Sequence, residues 1–303
     1  MNAHVHTNID TFEPFSHARR TTTELHRGKN DSLWLTLHAD DERGINNFTP
    51  TLLSELREVI GALKRDDGRW DTLAGPRNVS YIVVKSSDPE YFSVGGDLSY
   101  FRRCIAERDA DALREYSTHC LDLLMDWSTL MKDRMTTVSL IQGRALGGGW
   151  EMALSCDYII AEEHSSFGFP EIMFGLFPCT GAMGLLTRRI GAVQAERIMT
   201  SGRVYTAREL HSMGLVDEVV PTGSGERAVE DYIVRHGNRR EAFLKVQQSR
   251  IRMAPLDYIE GMRIVDDWVE LAMRLSPAEL RSMEMLIMMQ SSAIRGDAQR
   301  KAA

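Results

Sequence analysis

The sequence contains few cysteines, and their spacing fits neither a metal site nor a disulfide framework. The four residues, Cys104, Cys120, Cys156 and Cys179, are widely separated, and no CxxC pair occurs. Structural zinc sites and small disulfide-rich domains need closely spaced cysteines. We therefore expect buried free thiols in a reducing, cytoplasmic environment, and a functional site without a metal ion.

The sequence also lacks a long apolar segment and an excess of positive charge. No apolar run reaches the roughly 18 residues that a membrane-spanning helix requires, and the polar segment 1–30 has no apolar core of a secretory signal. The formal net charge is −7, from 36 basic and 43 acidic residues, which disfavours binding to nucleic acid or to an anionic membrane surface. We therefore expect neither as a partner.

The remaining pattern is that of an α/β protein followed by helices. Strands are predicted at 33–38, 79–85, 138–142 and 157–161, and helices at 50–64 and about 109–132. Strands that alternate with helices favour parallel pairing through crossover connections. Beyond about residue 182 only LVDEVVP is strand-like, and residues 225–295 have helical spacing. The sequence predicts a polar tail (1–30), an α/β core that carries the site (31–222) and a helical C-terminal region (223–303).

Two predicted strand-to-helix junctions are rich in glycine: Phe92–Leu98 (FSVGGDL) and Ala145–Glu151 (ALGGGWE). The N–H groups at a helix start are free, and glycine lets a ligand approach them closely. Neither junction has the lysine of a phosphate-binding loop or the G-x-G-x-x-G pattern of a dinucleotide site. Two junctions that face one point would form an oxyanion hole. The alternative is a pair of tight turns with a packing role only.

Two glutamates accompany these junctions. Glu151 falls in the first turn of the second predicted helix, where a carboxylate also simply complements the helix dipole. Glu171 lies among aromatic and aliphatic residues in GFPEIMFGLFP. It points either to solvent or into an apolar pocket, where desolvation would raise its pKa and suit it to proton transfer. Cys179 lacks an obvious histidine partner for nucleophilic catalysis, and we expect His119 and His164 to be surface residues.

These motifs, read in order, resemble the crotonase (enoyl-CoA hydratase/isomerase) superfamily. The resemblance covers residues 32–295 and rests on FSVGGDL, QGRALGGGWEMALSCDYIIAEE, FGFPEIMFGLFP and TARELHSMGLVDEVVP. Within the superfamily, YFSVGGDLSYFRRCI and the tail RIVDDWVELAMRLSPAELRSMEMLIMMQ are similar to the bacterial synthases of diffusible signal factor, a cis-2-unsaturated fatty acid of quorum sensing. The resemblance implies a spiral of ββα units with a helical C-terminal region that assembles trimers or dimers of trimers.

The resemblance also implies roles for individual residues. The backbone N–H groups of Gly96 and Gly148 would be the oxyanion donors, and Glu151 and Glu171 the acid/base pair. Glu171 is assigned as the acid from its more apolar surroundings, and the reversed assignment is the alternative. Side chains expected to contact the substrate are Trp268, Leu286, Thr180, Trp150 and Phe174. For Trp150, packing against the sheet is the alternative. The family's usual Pro-Gly after the second glutamate is replaced by Pro178-Cys179-Thr180-Gly181.

The implied reaction is the dehydration of a medium-chain 3-hydroxyacyl thioester, followed by hydrolysis to a free cis-2-enoic acid, without any cofactor. The substrate would be carried on acyl carrier protein or coenzyme A, and a sensor kinase is a further possible partner. The Met- and Leu-rich segment 283–289 would serve as core, oligomer interface or part of an acyl tunnel. Alternatives are an ordinary enoyl-CoA hydratase of fatty-acid breakdown and a non-catalytic scaffold with this fold.

Overall fold

A computed structural model describes residues 9–11, 19–40 and 44–301 of the chain, with side chains described in 19–40 and 44–290. The strands are β1 (Ile9–Thr11), β2 (Thr21–His26), β3 (Asp31–Leu37), β4 (Arg69–Trp70), β5 (Arg77–Ser86), β6 (Tyr91–Ser93), β7 (Thr136–Ile141), β8 (Arg144–Leu146), β9 (Tyr158–Glu162), β10 (Ser166–Gly168), β11 (Val204–Thr206) and β12 (Glu218–Val220). The α-helices are α1 (Pro50–Arg65), α2 (Leu98–Glu107), α3 (Ala110–Thr129), α4 (Gly148–Ser155), α5 (Ala182–Ile190), α6 (Ala192–Thr200), α7 (Ala207–Ser212), α8 (Gly225–Gly237), α9 (Arg240–Met253), α10 (Tyr258–Ala272) and α11 (Pro277–Lys301), and Pro170–Phe174 forms a 3-10 helix.

The strands form two sheets. The larger sheet has the order β1-β2-β3-β5-β7-β9-β12, with β4 paired to β5, and its strands from β3 to β12 pair in parallel. The smaller sheet has the order β11-β10-β8-β6. Consecutive pairs β5/β6, β7/β8 and β9/β10 each place one strand in each sheet before a helix follows. The predicted α/β spiral of ββα units is thereby confirmed.

Local sequence accounts for the helix that follows the first core strands. The apolar positions of α1 recur at helical spacing from Leu52 to Leu63, and all of them are buried. Thr49 caps the helix by accepting a hydrogen bond from the N–H of Leu52, and Pro50 occupies the first turn, where its missing N–H costs nothing. The predicted helix at 50–64 is confirmed almost to the residue.

The segment 1–30, predicted to be a polar tail, includes the two strands β1 and β2. Strand β2 pairs antiparallel with β3 along its whole length, and β1 pairs with β2. Leu25 of β2 is buried in the main core, and Thr21 is buried beneath it. The segment predicted as a tail therefore includes a strand of the large sheet, and a threonine-rich strand has little apolar character for a sequence pattern to detect.

The C-terminal helices pack against the core near the small sheet. Helix α10 packs on α3, and α11 contacts both α2 and the 3-10 helix. An ion pair of 2.8 Å between Arg102 of α2 and Glu284 fixes α11 from the side. Among the described residues, no helix is long and apolar enough to cross a membrane.

Candidate active site

Three strands of the small sheet end at the same edge, and each carries one of the motifs. Strands β6, β8 and β10 run parallel as neighbours. The chain leaves them through Gly95–Gly96, Gly147–Gly148 and Glu171, respectively. Because the carboxyl ends of adjacent parallel strands lie side by side, segments far apart in sequence meet at one point.

The two glycine junctions touch each other through their backbones. Gly95 has a φ of 95°, and a Cβ added there would lie 2.8 Å from the carbonyl oxygen of Leu146. A Cβ added at Gly148 would lie 3.6 Å from the backbone nitrogen of Gly96. Neither the Gly96 nor the Gly148 N–H has an acceptor within the part of the chain that the structure describes. Two neighbouring N–H groups without acceptors are the donor pair that an oxyanion hole requires.

Glu151 lies inside the protein, one turn into α4, and is 3% exposed. Its Oε1 accepts hydrogen bonds from the N–H groups of Thr180 (2.9 Å) and Ala182 (3.0 Å), and its Oε2 accepts from the Thr180 hydroxyl at 2.5 Å. Burial raises the pKa of Glu151, and the three donors oppose that rise. The donors favour the ionised form of this carboxyl, whereas burial disfavours it.

Glu171 lies in the 3-10 helix directly after β10 and has a different environment. Its Oε2 is buried without a hydrogen-bond partner. Burial, followed by the nearby charge of Glu151, raises the pKa of Glu171 to about 8. A carboxyl that has one buried oxygen without a donor and a like charge beside it holds a proton near neutral pH. The two carboxyls are thus suited to opposite roles, one as proton acceptor and the other as proton donor.

The Glu171 carboxyl reaches the second glycine junction. Gly147 has φ 52° and ψ −126°, and a Cβ added to it would lie 2.5 Å from Glu171 Oε1. The first of the three consecutive glycines therefore serves two purposes. It adopts a backbone conformation that other residues rarely adopt, and it leaves room for the carboxyl.

A largely apolar cavity opens on both sides of these groups. Gly96, Phe101, Glu171 and Trp268 border both of its parts. The inner chamber extends toward α1, α3 and the segment after the 3-10 helix, with Leu53, Leu123, Leu124, Met152 and Phe177 among its lining residues. The outer chamber lies beneath α11 and is lined by residues that include Tyr91, Arg144, Phe174, Leu286, Met289 and Gln290.

Most of the predicted substrate contacts line this cavity, but Trp150 does not. Trp268, Leu286 and Phe174 lie in its walls, and Thr180 lines it while bonding to Glu151. The Trp150 side chain is fully buried and stacks on Phe169, with ring centroids 4.5 Å apart. Trp150 therefore lies outside the lining of this cavity, and the packing alternative describes its position.

One side of the inner chamber was missed by sequence reasoning. Helix α3 contributes Tyr116, Ser117, Cys120 and Leu124 to the lining. Positions 116, 120 and 124 lie four apart and so share one face of the helix. That spacing could have indicated a buried face, but not what the face borders.

Other reactive side chains are not arranged for catalysis. Burial raises the pKa of Cys179 well above its ordinary value, so this thiol stays protonated and weakly nucleophilic. His164 lies far from the site, within hydrogen-bond distance of Thr222 and the Pro89 carbonyl oxygen. Within residues 19–40 and 44–290, no group of three or more potential metal ligands is found.

Comparison with known proteins agrees with this geometry. The family model for enoyl-CoA hydratase/isomerase matches residues 35–240. A probable mitochondrial enoyl-CoA hydratase of Dictyostelium discoideum is 30% identical over 212 residues, which is 70% of this chain and 67% of the relative. The fatty acid oxidation complex subunit alpha of Aliivibrio fischeri is 26% identical over 70% of this chain, and the match spans only 29% of that longer protein.

Comparison with solved structures also finds enoyl-CoA hydratases. Enoyl-CoA hydratase from Bacillus halodurans superimposes with a TM-score of 0.70 at 23% identity, covering 88% of this chain and 99% of that one, which shows a shared fold. DspI of Pseudomonas aeruginosa superimposes with a TM-score of 0.57 at 25% identity, covering 85% and 93%. The fold, the two glycine junctions and the family match lead to one conclusion: the chain belongs to the enoyl-CoA hydratase/isomerase family, whose members act on acyl thioesters.

Proposed function

We propose that this protein dehydrates a medium-chain 3-hydroxyacyl thioester and then hydrolyses the thioester, releasing a free 2-enoic acid of the diffusible-signal-factor type. The observation that carries the proposal is the contrast between the two carboxyls. Glu151 accepts three hydrogen bonds, whereas Glu171 Oε2 accepts none and its carboxyl has a pKa raised to about 8. Such a pair supplies a base and an acid at the same pH.

The first step is an elimination. The thioester oxygen accepts hydrogen bonds from the N–H groups of Gly96 and Gly148, which stabilise the enolate that forms when the C2 proton leaves. Ionised Glu151 takes that proton. The C3–O bond then breaks, protonated Glu171 donates its proton to the departing hydroxyl, and water leaves. At this stage Glu151 is protonated and Glu171 is ionised.

The second step uses the carboxyls in reversed roles. Ionised Glu171 takes a proton from a water molecule as that water attacks the thioester carbon, and the same two N–H groups stabilise the tetrahedral oxyanion. The C–S bond breaks, and Glu151 gives its proton to the departing sulfur. The products are the free acid and the carrier thiol, and both carboxyls return to their starting protonation states. The site therefore needs no external proton donor between the two steps.

The lining of the cavity supports an acyl thioester as substrate. The apolar inner chamber beside Glu151 suits an alkyl chain, and the outer chamber under α11 suits the thioester arm of the carrier. The similarity of the motifs to signal-factor synthases supports the free acid as the product. We also propose acyl carrier protein or coenzyme A as carrier, and a homo-oligomeric assembly, as the family resemblance implies.

The decisive experiment is mass spectrometry after incubation with 3-hydroxydodecanoyl carrier protein and, separately, with the coenzyme A ester. The proposal predicts release of cis-2-dodecenoic acid from at least one of them. Reversible hydration of trans-2-dodecenoyl-CoA without any free acid would instead identify an ordinary enoyl-CoA hydratase. Absence of turnover with every thioester, in protein that still binds them, would favour a non-catalytic scaffold.

A further inference from the structure

A tyrosine of α3 lies beside the first glycine junction. Tyr116 is buried, and its ring packs edge-on against Phe101 with centroids 5.1 Å apart. A Cβ added at Gly96 would lie 3.6 Å from the Tyr116 hydroxyl oxygen. No motif in the sequence drew attention to this residue.

The Tyr116 hydroxyl closes a ring of hydrogen bonds around Gly96. It donates to the carbonyl oxygen of Phe48 and accepts from the N–H of Asp97 at 3.3 Å. The Phe48 N–H donates in turn to the carbonyl oxygen of Gly95 at 2.9 Å. The Gly95 carbonyl, which precedes the Gly96 N–H, is therefore bonded directly to Phe48. The Asp97 N–H, which follows it, is linked to Phe48 through the Tyr116 hydroxyl.

The direction of the Gly96 N–H follows from this ring. The Gly95 carbonyl and the Gly96 N–H belong to one peptide group, and in a trans peptide they point in opposite directions. Because the carbonyl points at the Phe48 nitrogen, the N–H points away from Phe48. The Asp97 side chain adds support, since it caps α2 through the N–H groups of Ser99 and Tyr100.

We propose that Tyr116 is a positioning residue that holds the Gly96 N–H in its direction toward the thioester oxygen. This inference rests on the proposed function, because it gives Gly96 the role of oxyanion donor. Tyr116 does not act as an acid, since its proton is bonded to the Phe48 carbonyl oxygen. Burial raises the pKa of Tyr116 further above its ordinary value, so the phenol keeps that proton at any working pH.

The variant Tyr116→Phe tests the inference, because it keeps the ring and removes the hydroxyl. The expected result is a fall in kcat of roughly 10- to 100-fold. Complete loss of one oxyanion donor lowers kcat by roughly 10²–10³-fold, and a donor that points in the wrong direction should lose part of that effect. KM should change little, because the apolar lining is intact. The matched control is Tyr100→Phe, whose ring stacks on Tyr116 at 5.2 Å but whose hydroxyl donates to the Ala112 carbonyl oxygen at 3.5 Å and interacts with the Cys104 thiol.

A spectroscopic measurement separates positioning from a structural role. The carbonyl stretching band of bound dodecanoyl-CoA, labelled with ¹³C at the carbonyl, should shift to lower frequency in the wild type and in Tyr100→Phe. In Tyr116→Phe the band should move back toward its value in solution at unchanged affinity. A wild-type band position and kcat in Tyr116→Phe would overturn the inference.

One further variant keeps the test decisive. If Tyr116→Phe does not fold, p-aminophenylalanine at position 116 retains a donor to Phe48, and it should give a band between those of the wild type and the solution. A band at the solution value in that folded variant would also contradict positioning by this donor. Because the band requires binding but no turnover, it is independent of whether the wild type releases a free acid. Failure of the proposed function and failure of this inference are therefore distinguishable.

Discussion

The Thr180 hydroxyl donates a 2.5 Å hydrogen bond to Oε2 of Glu151, while the Thr180 N–H bonds to Oε1 of the same carboxyl. One residue thus holds both oxygens of the proposed base. The Pro-Gly that the family resemblance leads one to expect is replaced here by Pro178-Cys179-Thr180-Gly181, and the sequence alone left the effect of that departure open. The structure indicates an effect on the ionisation of Glu151 in addition to pocket shape.

Thr180→Val should raise the pKa of Glu151, because the carboxylate loses its side-chain donor and keeps its burial. The acidic limb of the kcat/KM–pH profile should move to higher pH, and kcat at pH 7 should fall about tenfold, as expected for one hydrogen bond to a charged group. Thr180→Ser retains the hydroxyl and should behave as the wild type. Identical pH profiles for the valine and serine variants would contradict this role.

Glu151→Gln should lower kcat by roughly 10²–10⁴-fold, because an amide cannot take up the C2 proton. The control is Glu162→Gln, the same change at a buried carboxylate that accepts hydrogen bonds from the N–H groups of Gly223 and Gly225, away from the site. That control should lower thermal stability and leave kcat nearly unchanged. Dehydration assays with both variants, under conditions where each is folded, make the comparison.

The ionisation of Glu171 should determine where the dehydration rate falls at alkaline pH. The wild-type rate should fall as pH rises through about 8, because the proposed acid loses its proton there. Glu171→Gln should remove this limb together with most of the activity. A wild-type rate that stays constant from pH 7 to pH 10 would show that Glu171 is not the acid.

The same pKa shift should appear in stability. The folded state retains the Glu171 proton up to about pH 8, whereas the unfolded chain releases it near 4.5. This contribution to the free energy of unfolding is full below pH 4.5 and is lost as pH rises toward 8, at up to about 1.4 kcal/mol per pH unit. Urea unfolding across this range should show a shallower decline for Glu171→Gln than for the wild type. If the free energy of unfolding of the two proteins depended on pH in the same way, the folded protein would not hold a proton on Glu171.

Trp268 and Trp150 should respond differently to the same substitution. Trp268 borders both chambers and packs edge-on against Phe101 at 5.2 Å, so Trp268→Phe should raise KM for a medium-chain thioester several-fold through lost contact area. Trp150→Phe should reduce the melting temperature and leave KM unchanged, because Trp150 stacks on Phe169 in the core. Steady-state kinetics and thermal unfolding of the two variants test both expectations.

The sequence predicted the alternation of strands and helices well, because apolar strands and glycine junctions leave local signals, whereas the ββα spiral was expected from the family resemblance. The positions of Trp150 and Tyr116 depended on information that no local pattern holds. Trp150 adjoins a proposed catalytic residue in sequence, yet one residue along a helix turns a side chain by about 100°. Tyr116 belongs to an ordinary amphipathic helix, and only tertiary packing brings its hydroxyl to Phe48 and Asp97.

The close approach of Glu171 to Gly147 has a consequence for how this sequence can vary. Any side chain at position 147 would occupy the space of the Glu171 carboxyl and would also require an unfavourable backbone conformation. A chain that replaced Gly147 would have to move or lose its acid at the same time. We therefore expect a side chain at position 147 only in a chain whose Glu171 carboxyl has moved or been replaced.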